Sequence, residues 1–285
     1  MEVIVIRISF IGAGKVGFSL GKYLKESKLD VVGYYSKRDE SSKEAASFIG
    51  GKYFNNLKEV TESSDVIFIT TPDSVIKSVW NELKELSIKN KIICHCSGSL
   101  SSDVFSNVEG LGSYGYSIHP MFAISDKYNS YQNLKQAYVT IEGSKKYLNE
   151  IRSLIESLGN KVQIVSKEKK FLYHAASVVA SNQVLALIQQ GVIYLKECGF
   201  SEEEGLEALY PLIINNVLNI KSKGIVKSLT GPIERCDVNT VQSHMKCLNE
   251  EDRELYRLLS RKLLYISKEK NDSRNYKKLE EILGE

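Results

Sequence analysis

Phe10-Ile11-Gly12-Ala13-Gly14-Lys15-Val16-Gly17 is the stretch that decides the fold. An apolar, β-branched run over 5–11 leads into G-x-G-x-x-G, and a helical pattern over 16–26 leaves it. Each glycine has a task in a strand–turn–helix that takes a dinucleotide. Gly12 makes the tight turn, Gly14 lets a pyrophosphate approach the backbone, and Gly17 allows close helix–strand packing. The helix N-terminus then faces the anion with free N–H groups. Gly12, Ala13, Gly14, Lys15, Val16 and Gly17 are therefore expected to cradle the cofactor. A tight turn with no ligand is the plainer alternative.

The end of the second expected strand selects the cofactor. NAD sites place an acid there for the ribose hydroxyls. Here the strand runs out in Ser36-Lys37-Arg38, and the first acid is Asp39. A hydroxyl followed by two cations suits the 2′-phosphate of NADP better than NAD, with Asp39 as a competing feature. Two more strand ends, Thr70-Thr71-Pro72 and Ser97-Gly98, are small and polar and are expected to line the same crevice.

Outward from the turn, β-branched runs alternate with helical patterns as far as residue 165, with strands expected at 31–35, 66–70, 91–94, 138–141 and 162–165. That alternation implies a mostly parallel sheet with crossover helices. Beyond Lys170 only helical patterns follow, at 171–198, 201–220, 240–248, 251–266 and 273–283; Ser201 and Glu204 form a capping-box signal. The expected fold is α/β: a Rossmann domain over 1–166 and an all-α substrate and dimerisation domain over 167–285.

Composition narrows the function. The 285 residues carry 38 Lys+Arg against 35 Asp+Glu, a net charge of +3, which gives no electrostatic footprint for nucleic acid. The N-terminal apolar run is interrupted by Glu2 and Arg7 and does not read as a signal peptide. Residues 171–195 lack acidic and strongly basic side chains, yet His174, Ser177, Ser181, Asn182 and Gln183 make them polar for a membrane span. They read as a long helix packed on most sides inside a soluble helical domain or dimer, and with the apolar face of 201–220 they imply a homodimer through the helical half. The five cysteines are odd in number and scattered, which suits free thiols in the cytoplasm. Cys94-His95-Cys96 has no second ligand pair at zinc spacing, so no metal is expected.

Tyr173-His174-Ala175-Ala176-Ser177, Ala180-Ser181-Asn182 and Leu229-Thr230-Gly231-Pro232-Ile233-Glu234-Arg235 resemble one branch of the 6-phosphogluconate dehydrogenase-like superfamily. That superfamily includes 3-hydroxyacid dehydrogenases, ketopantoate reductase, pyrroline-5-carboxylate reductase and the deazaflavin-dependent NADP oxidoreductases. The branch is the Rossmann-like oxidoreductases with a helical C-terminal domain of unknown function. The resemblance implies NAD(P)-dependent redox chemistry. It departs from the hydroxyacid dehydrogenases, whose first long helix carries a catalytic Lys with Asn four residues on. Here Lys170 is followed four residues on by His174, so the lysine's role does not carry over.

The expected reaction is hydride transfer, with NADP, to or from a small carbonyl or imine in the cleft between domains. The alternative is a non-catalytic dinucleotide-binding redox sensor. Reduction needs a proton donor and groups that fix the substrate. His174 and Ser181, with Asn182 at the margin, share one helix face; a polar stripe there either binds neighbouring helices or lines the site. His119, before Pro120 in an expected loop, and Arg235, as an anion clamp, complete the catalytic set.

Overall fold

The structure, a computed structural model, describes residues 6–284. Eight strands form one sheet: β1 Arg7–Ile11, β2 Asp30–Tyr35, β3 Lys52–Tyr53, β4 Val66–Ile69, β5 Ile92–His95, β6 Tyr114–Met121, β7 Tyr138–Gly143 and β8 Lys161–Ile164. Val5, expected to open the first strand, lies outside the described residues. The helices are α1 Lys15–Glu26, α2 Asp39–Ile49, α3 Leu57–Ser63, α4 Asp73–Leu83, α5 Leu148–Ser157, α6 Lys170–Ala180, α7 Asn182–Glu197, α8 Glu202–Ser228, α9 Pro232–Arg235, α10 Val238–Cys247, α11 Glu250–Lys270 and α12 Lys277–Leu283.

The sheet order is β3-β2-β1-β4-β5-β6-β7-β8, parallel except where β7 runs against β6. The strand order reverses beside β1, which pairs with β2 on one side and β4 on the other. A ligand crevice opens at such a reversal, beyond the carboxyl ends of the strands. Side-chain alternation explains why these strands read as continuous apolar runs. Phe10, Phe68, Cys94 and Ile118 pack on one face, under α1 and α5. Ile11, Ile67, Ile69 and Ile93 pack on the other with Trp80 and Phe105.

Two expectations are corrected. His119 lies in strand β6, not in a loop. Gly115 and Pro120 disguised that strand, but β5 pairs only with Tyr114–Ser117, so Pro120 sits where β6 has a neighbour on one side alone. The apolar stretch after Lys170 is not one helix: it breaks at Ser181 (φ −122°, ψ −73°), which caps α6 before α7 begins. Within the single chain it is not packed on most sides, which leaves the dimer packing untested. Phe171 is 73% exposed and Leu185 66%, and Val192 is the buried residue of α7.

The chain divides into two compact units, residues 1–184 and 185–285. The second is helical and has its own core of Ile233, Val241, Leu264, Tyr276, Leu279 and Leu283. The Ser201–Glu204 capping box forms as the sequence indicated. Long helix α8 breaks its helical geometry at Gly224 (φ 80°) rather than at Pro211. Along it Leu206, Tyr210, Leu212, Val217, Leu218, Ile220 and Ile225 are exposed. The segment Lys167–Glu197 is long and apolar enough to cross a membrane by length and composition. Its first turn is tied to the ends of β5 and β6 by Lys170.

Candidate functional site

The glycine turn has the geometry its spacing demands. Gly12 adopts φ +105°, and a Cβ there would meet Thr70 backbone atoms at 2.9 Å. A Cβ on Gly17 would lie 2.3 Å from Thr70 Oγ1 and 2.4 Å from the Gly12 carbonyl. Thr70 Oγ1 itself donates to that carbonyl at 2.7 Å, locking the end of β4 against the turn. Gly14 differs: a Cβ there would meet nothing within 4 Å. It is the N-cap of α1 and supplies no side-chain cap, so the first N–H groups of the helix face open space over it. Thr71 Oγ1, at the neighbouring strand end, is buried with no partner. An uncapped helix start, an open glycine and an orphaned hydroxyl fit an incoming pyrophosphate.

The basic turn sits beside this cradle, because the Gly12 N–H donates to the Tyr35 carbonyl at 2.8 Å. Ser36 is half-buried there, whereas Lys37 and Arg38 are exposed. Asp39 begins α2, where the helix N-terminus favours a carboxylate without any ligand.

At the end of β5 the Ser97 hydroxyl is already committed. It donates to Asp73 Oδ2 at 2.7 Å and accepts from the Ser99 and Leu100 N–H groups, so its work is to hold the turn. Gly98, next in that turn, is buried, and two imidazoles close over it. A Cβ there would stand 2.6 Å from His174 Nδ1 and 3.1 Å from His119 Nε2. The two histidines that sequence reasoning selected therefore meet over Gly98, with ring centroids 6.4 Å apart at 82°. His119 Nδ1 pairs with the Tyr173 hydroxyl at 2.7 Å, and His174 Nδ1 is buried without a partner. An unpaired buried group of this kind costs about 1–3 kcal/mol.

Beneath the histidines lies a residue that the sequence reading set aside. Lys170 is 1% exposed, and its Nζ donates to the Ser97 carbonyl at 3.0 Å and to Ser117 Oγ at 2.6 Å. Burial pushes its ammonium down to about 8, opposed by Glu142, Cys96 and Asp73. Tyr173 was quoted only inside a motif. Both were visible as polar residues within one turn of His174, but their partners on β5 and β6 are remote in sequence.

Burial also holds two imidazoles neutral. His119 is pushed down to about 4 by desolvation first and by the charge of Lys170 second. His95 reaches about 4 mainly through desolvation; its Nδ1 accepts from the Ser97 N–H and its Nε2 faces the Ser101 carbonyl. Unfolding lets both rise towards 6.5, so the unfolded chain binds the extra protons. Their contribution to stability is complete above pH 6.5 and is lost as the pH falls towards 4. For His95, fully buried, the change is roughly 3 kcal/mol. Urea unfolding at pH 7 and pH 4.5 should show the loss, and His95→Gln should flatten the pH dependence; an unchanged slope contradicts this account.

Other expected site residues are placed differently. Ser181 Oγ donates to the Ser177 carbonyl and to Asn182 Oδ1; both residues are exposed at the α6–α7 break. Arg235 belongs to the second unit, exposed at the end of α9, beside Asp237, which caps α10 through Thr240. His244 in that unit pairs with Tyr256 at 2.9 Å. Among the described residues no group of His, Cys, Asp or Glu is arranged to hold a metal.

The two halves of the chain match two family profiles. Residues 2–120 match the Rossmann-like domain, and residues 137–263 match the domain of unknown function DUF2520. The protein is a Rossmann-like domain joined to a DUF2520 domain, as the resemblance implied. No curated protein matches the chain. Among solved structures, a protein from Thermotoga maritima is 27% identical, with a TM-score of 0.74, over 92% of this chain and 98% of that one. A pyrroline-5-carboxylate reductase from Coxiella burnetii is 16% identical, TM-score 0.64, over 93% and 98%. A reductive aminase from Aspergillus terreus, in complex with NADPH and ethyl-5-oxohexanoate, is 10% identical, TM-score 0.62, over 92% and 94%. At these identities the last two attest the fold.

Proposed function

We propose that the protein is an NADP-dependent oxidoreductase that transfers hydride between the nicotinamide and a small carbonyl or imine held beside His119 and His174. The observation that carries this reading is the unpartnered His174 Nδ1 facing His119 across Gly98, at the same sheet edge as the glycine turn. A redox sensor needs the cradle but has no use for an unsatisfied imidazole beside it. The reductase and the aminase of similar fold act on substrates of this class, by name, which supports the reading.

Bound NADPH supplies the hydride. The chain does the rest. The α1 N-terminus and the Gly14 backbone bind the pyrophosphate, and Lys37 and Arg38 clamp the 2′-phosphate. His174 gives or takes the proton at the reacting heteroatom, and Lys170 holds the β5 and β6 ends in register beneath it. A panel of carbonyls and imines, followed by NADPH absorbance, tests the reading; no turnover with any of them, alongside tight NADPH binding, would favour the sensor.

Cofactor choice rests on the basic turn. NADPH should bind more tightly than NADH, and Arg38→Ala should weaken NADPH about 10–100-fold while sparing NADH. Titration calorimetry reads both, and equal losses for the two nucleotides would remove Arg38 from the phosphate site.

The protein is further proposed to be a cytoplasmic homodimer. All five cysteines are free. Many large apolar side chains of α6, α7 and α8 are exposed in the single chain, among them Phe171, Leu185 and Leu212. A second copy supplies the matching face by symmetry. Light scattering at micromolar concentration should give twice the 32.1 kDa chain mass. A monomer, or a protein recovered only with lipid, would contradict it.

A further inference from the structure

We infer that Gly98 is a positioning residue of the proposed site: its bare Cα is the seat on which the His174 ring rests, and that seat sets where α6 presents His174 to His119. The inference rests on the oxidoreductase reading for its use, while the geometry behind it concerns the chain alone.

Glycine is required at this position for space and not for backbone conformation. Gly98 does not adopt a positive φ, so its backbone alone would admit other residues. A Cβ there would fall 2.6 Å from His174 Nδ1 and 3.1 Å from His119 Cε1 and Nε2. The first contact forces a displacement, whereas the second asks for a few tenths of an ångström.

What moves is decided by what is already tied. The turn is held from two sides. Ser97 Oγ donates to Asp73 and accepts from the Ser99 and Leu100 N–H groups. The Ser97 carbonyl accepts from Lys170 Nζ at 3.0 Å and from Ser117 Oγ at 3.1 Å. His119 stands on a paired strand, and its Nδ1 and the Tyr173 hydroxyl are 2.7 Å apart. His174 Nδ1 has no partner, so that edge of the ring is held by contact alone. A methyl on Gly98 therefore displaces the His174 ring.

Lys170, Tyr173 and His174 lie three and four residues apart and share one face of α6. Each meets the sheet end at a different point: the Ser97 carbonyl, His119 and Gly98. Three such contacts fix both the place and the rotation of the helix start, and only the third depends on a missing side chain. Together they set the two imidazoles 6.4 Å apart at 82°. A substrate held beside both rings thus depends on Gly98, which lies buried beneath them.

A double-mutant cycle between Gly98→Ala and His174→Ala in the intact, cofactor-free protein tests this directly. Gly98→Ala alone should lower the thermal midpoint by about 2–8 °C. With His174→Ala, where the ring is gone, the same methyl should cost less than about half of that. If Gly98→Ala alone fails to fold, the double variant should recover the fold. Equal costs in the two backgrounds, or two variants that both fail to fold, would show that the methyl is resisted elsewhere and overturn the inference. Position is read from the ring signals of 15N-histidine-labelled protein. The chain has four histidines, and His174→Ala assigns its signal by its loss. Gly98→Ala should shift the His174 signal more than any other; an unmoved His174 signal contradicts the seat. On a substrate found with the NADPH panel, Gly98→Ala should lower kcat about 10–100-fold and change NADPH affinity less than about threefold. Lost NADPH binding with the His174 signal unmoved would make Gly98 a nucleotide contact instead. Coupled stabilities in a protein that turns over no carbonyl or imine would leave the seat standing and refute the oxidoreductase reading.

Discussion

Replacing His174 by Asn should lower turnover about 10²–10⁴-fold while leaving NADPH affinity unchanged. Asn keeps a hydrogen-bonding group of similar reach but cannot exchange a proton, so the loss measures acid–base chemistry rather than shape. The expectation rests on placement. His174 lies one helical turn after Lys170, whose bonds to Ser97 and Ser117 fix the start of α6 on the sheet edge. Its Nδ1 faces the Gly98 turn and has no partner of its own. Ser181 and Asn182, at the far end of α6, bond to each other and to α6 itself; their alanine variants should fall within a few-fold of wild type. Equal losses at all three positions would mean that α6 matters only as a scaffold.

The second large effect belongs to the glycine turn, where two substitutions separate packing from binding. In Gly17→Ala the new methyl meets Thr70 Oγ1 and the Gly12 carbonyl at less than van der Waals distance. Overpacking of that kind costs about 1–3 kcal/mol and displaces the turn that binds the pyrophosphate. Both thermal stability and NADPH binding should fall. Gly14→Ala meets nothing in the protein, and its φ of −78° suits any residue, so stability should hold within about 0.5 kcal/mol. NADPH binding should nonetheless drop at least about tenfold, because the methyl occupies the phosphate's approach. A Gly14→Ala protein that binds NADPH normally would show that the pyrophosphate lies elsewhere.

The parts of this account that were legible in the sequence are those governed by local rules. Glycine spacing, β-branched runs and the Ser201–Glu204 cap each act over a few residues, and the Rossmann half and the helical character of the rest followed from them. Strand β6 was missed because Gly115 and Pro120 break the pattern locally, and only its one-sided pairing makes Pro120 tolerable. The apolar circumference of 171–195 was visible in the sequence, and the single chain leaves much of it uncovered. At the site, His119 and His174 were selected by chemistry. Lys170 was passed over because a motif from another branch lacked its second member. What gives Lys170 its character is burial between Ser97 and Ser117, a tertiary fact that spacing does not encode.

The most direct test is a crystal structure of the protein soaked or grown with NADPH. The account predicts the pyrophosphate against the Gly14 backbone and the 2′-phosphate on Lys37 and Arg38. It predicts the nicotinamide at the Gly98 turn, leaving space for a substrate atom about 3–3.5 Å from its reactive carbon and within reach of His174 and His119. A nucleotide bound with its nicotinamide turned away from the Gly98 turn and its two histidines would contradict it.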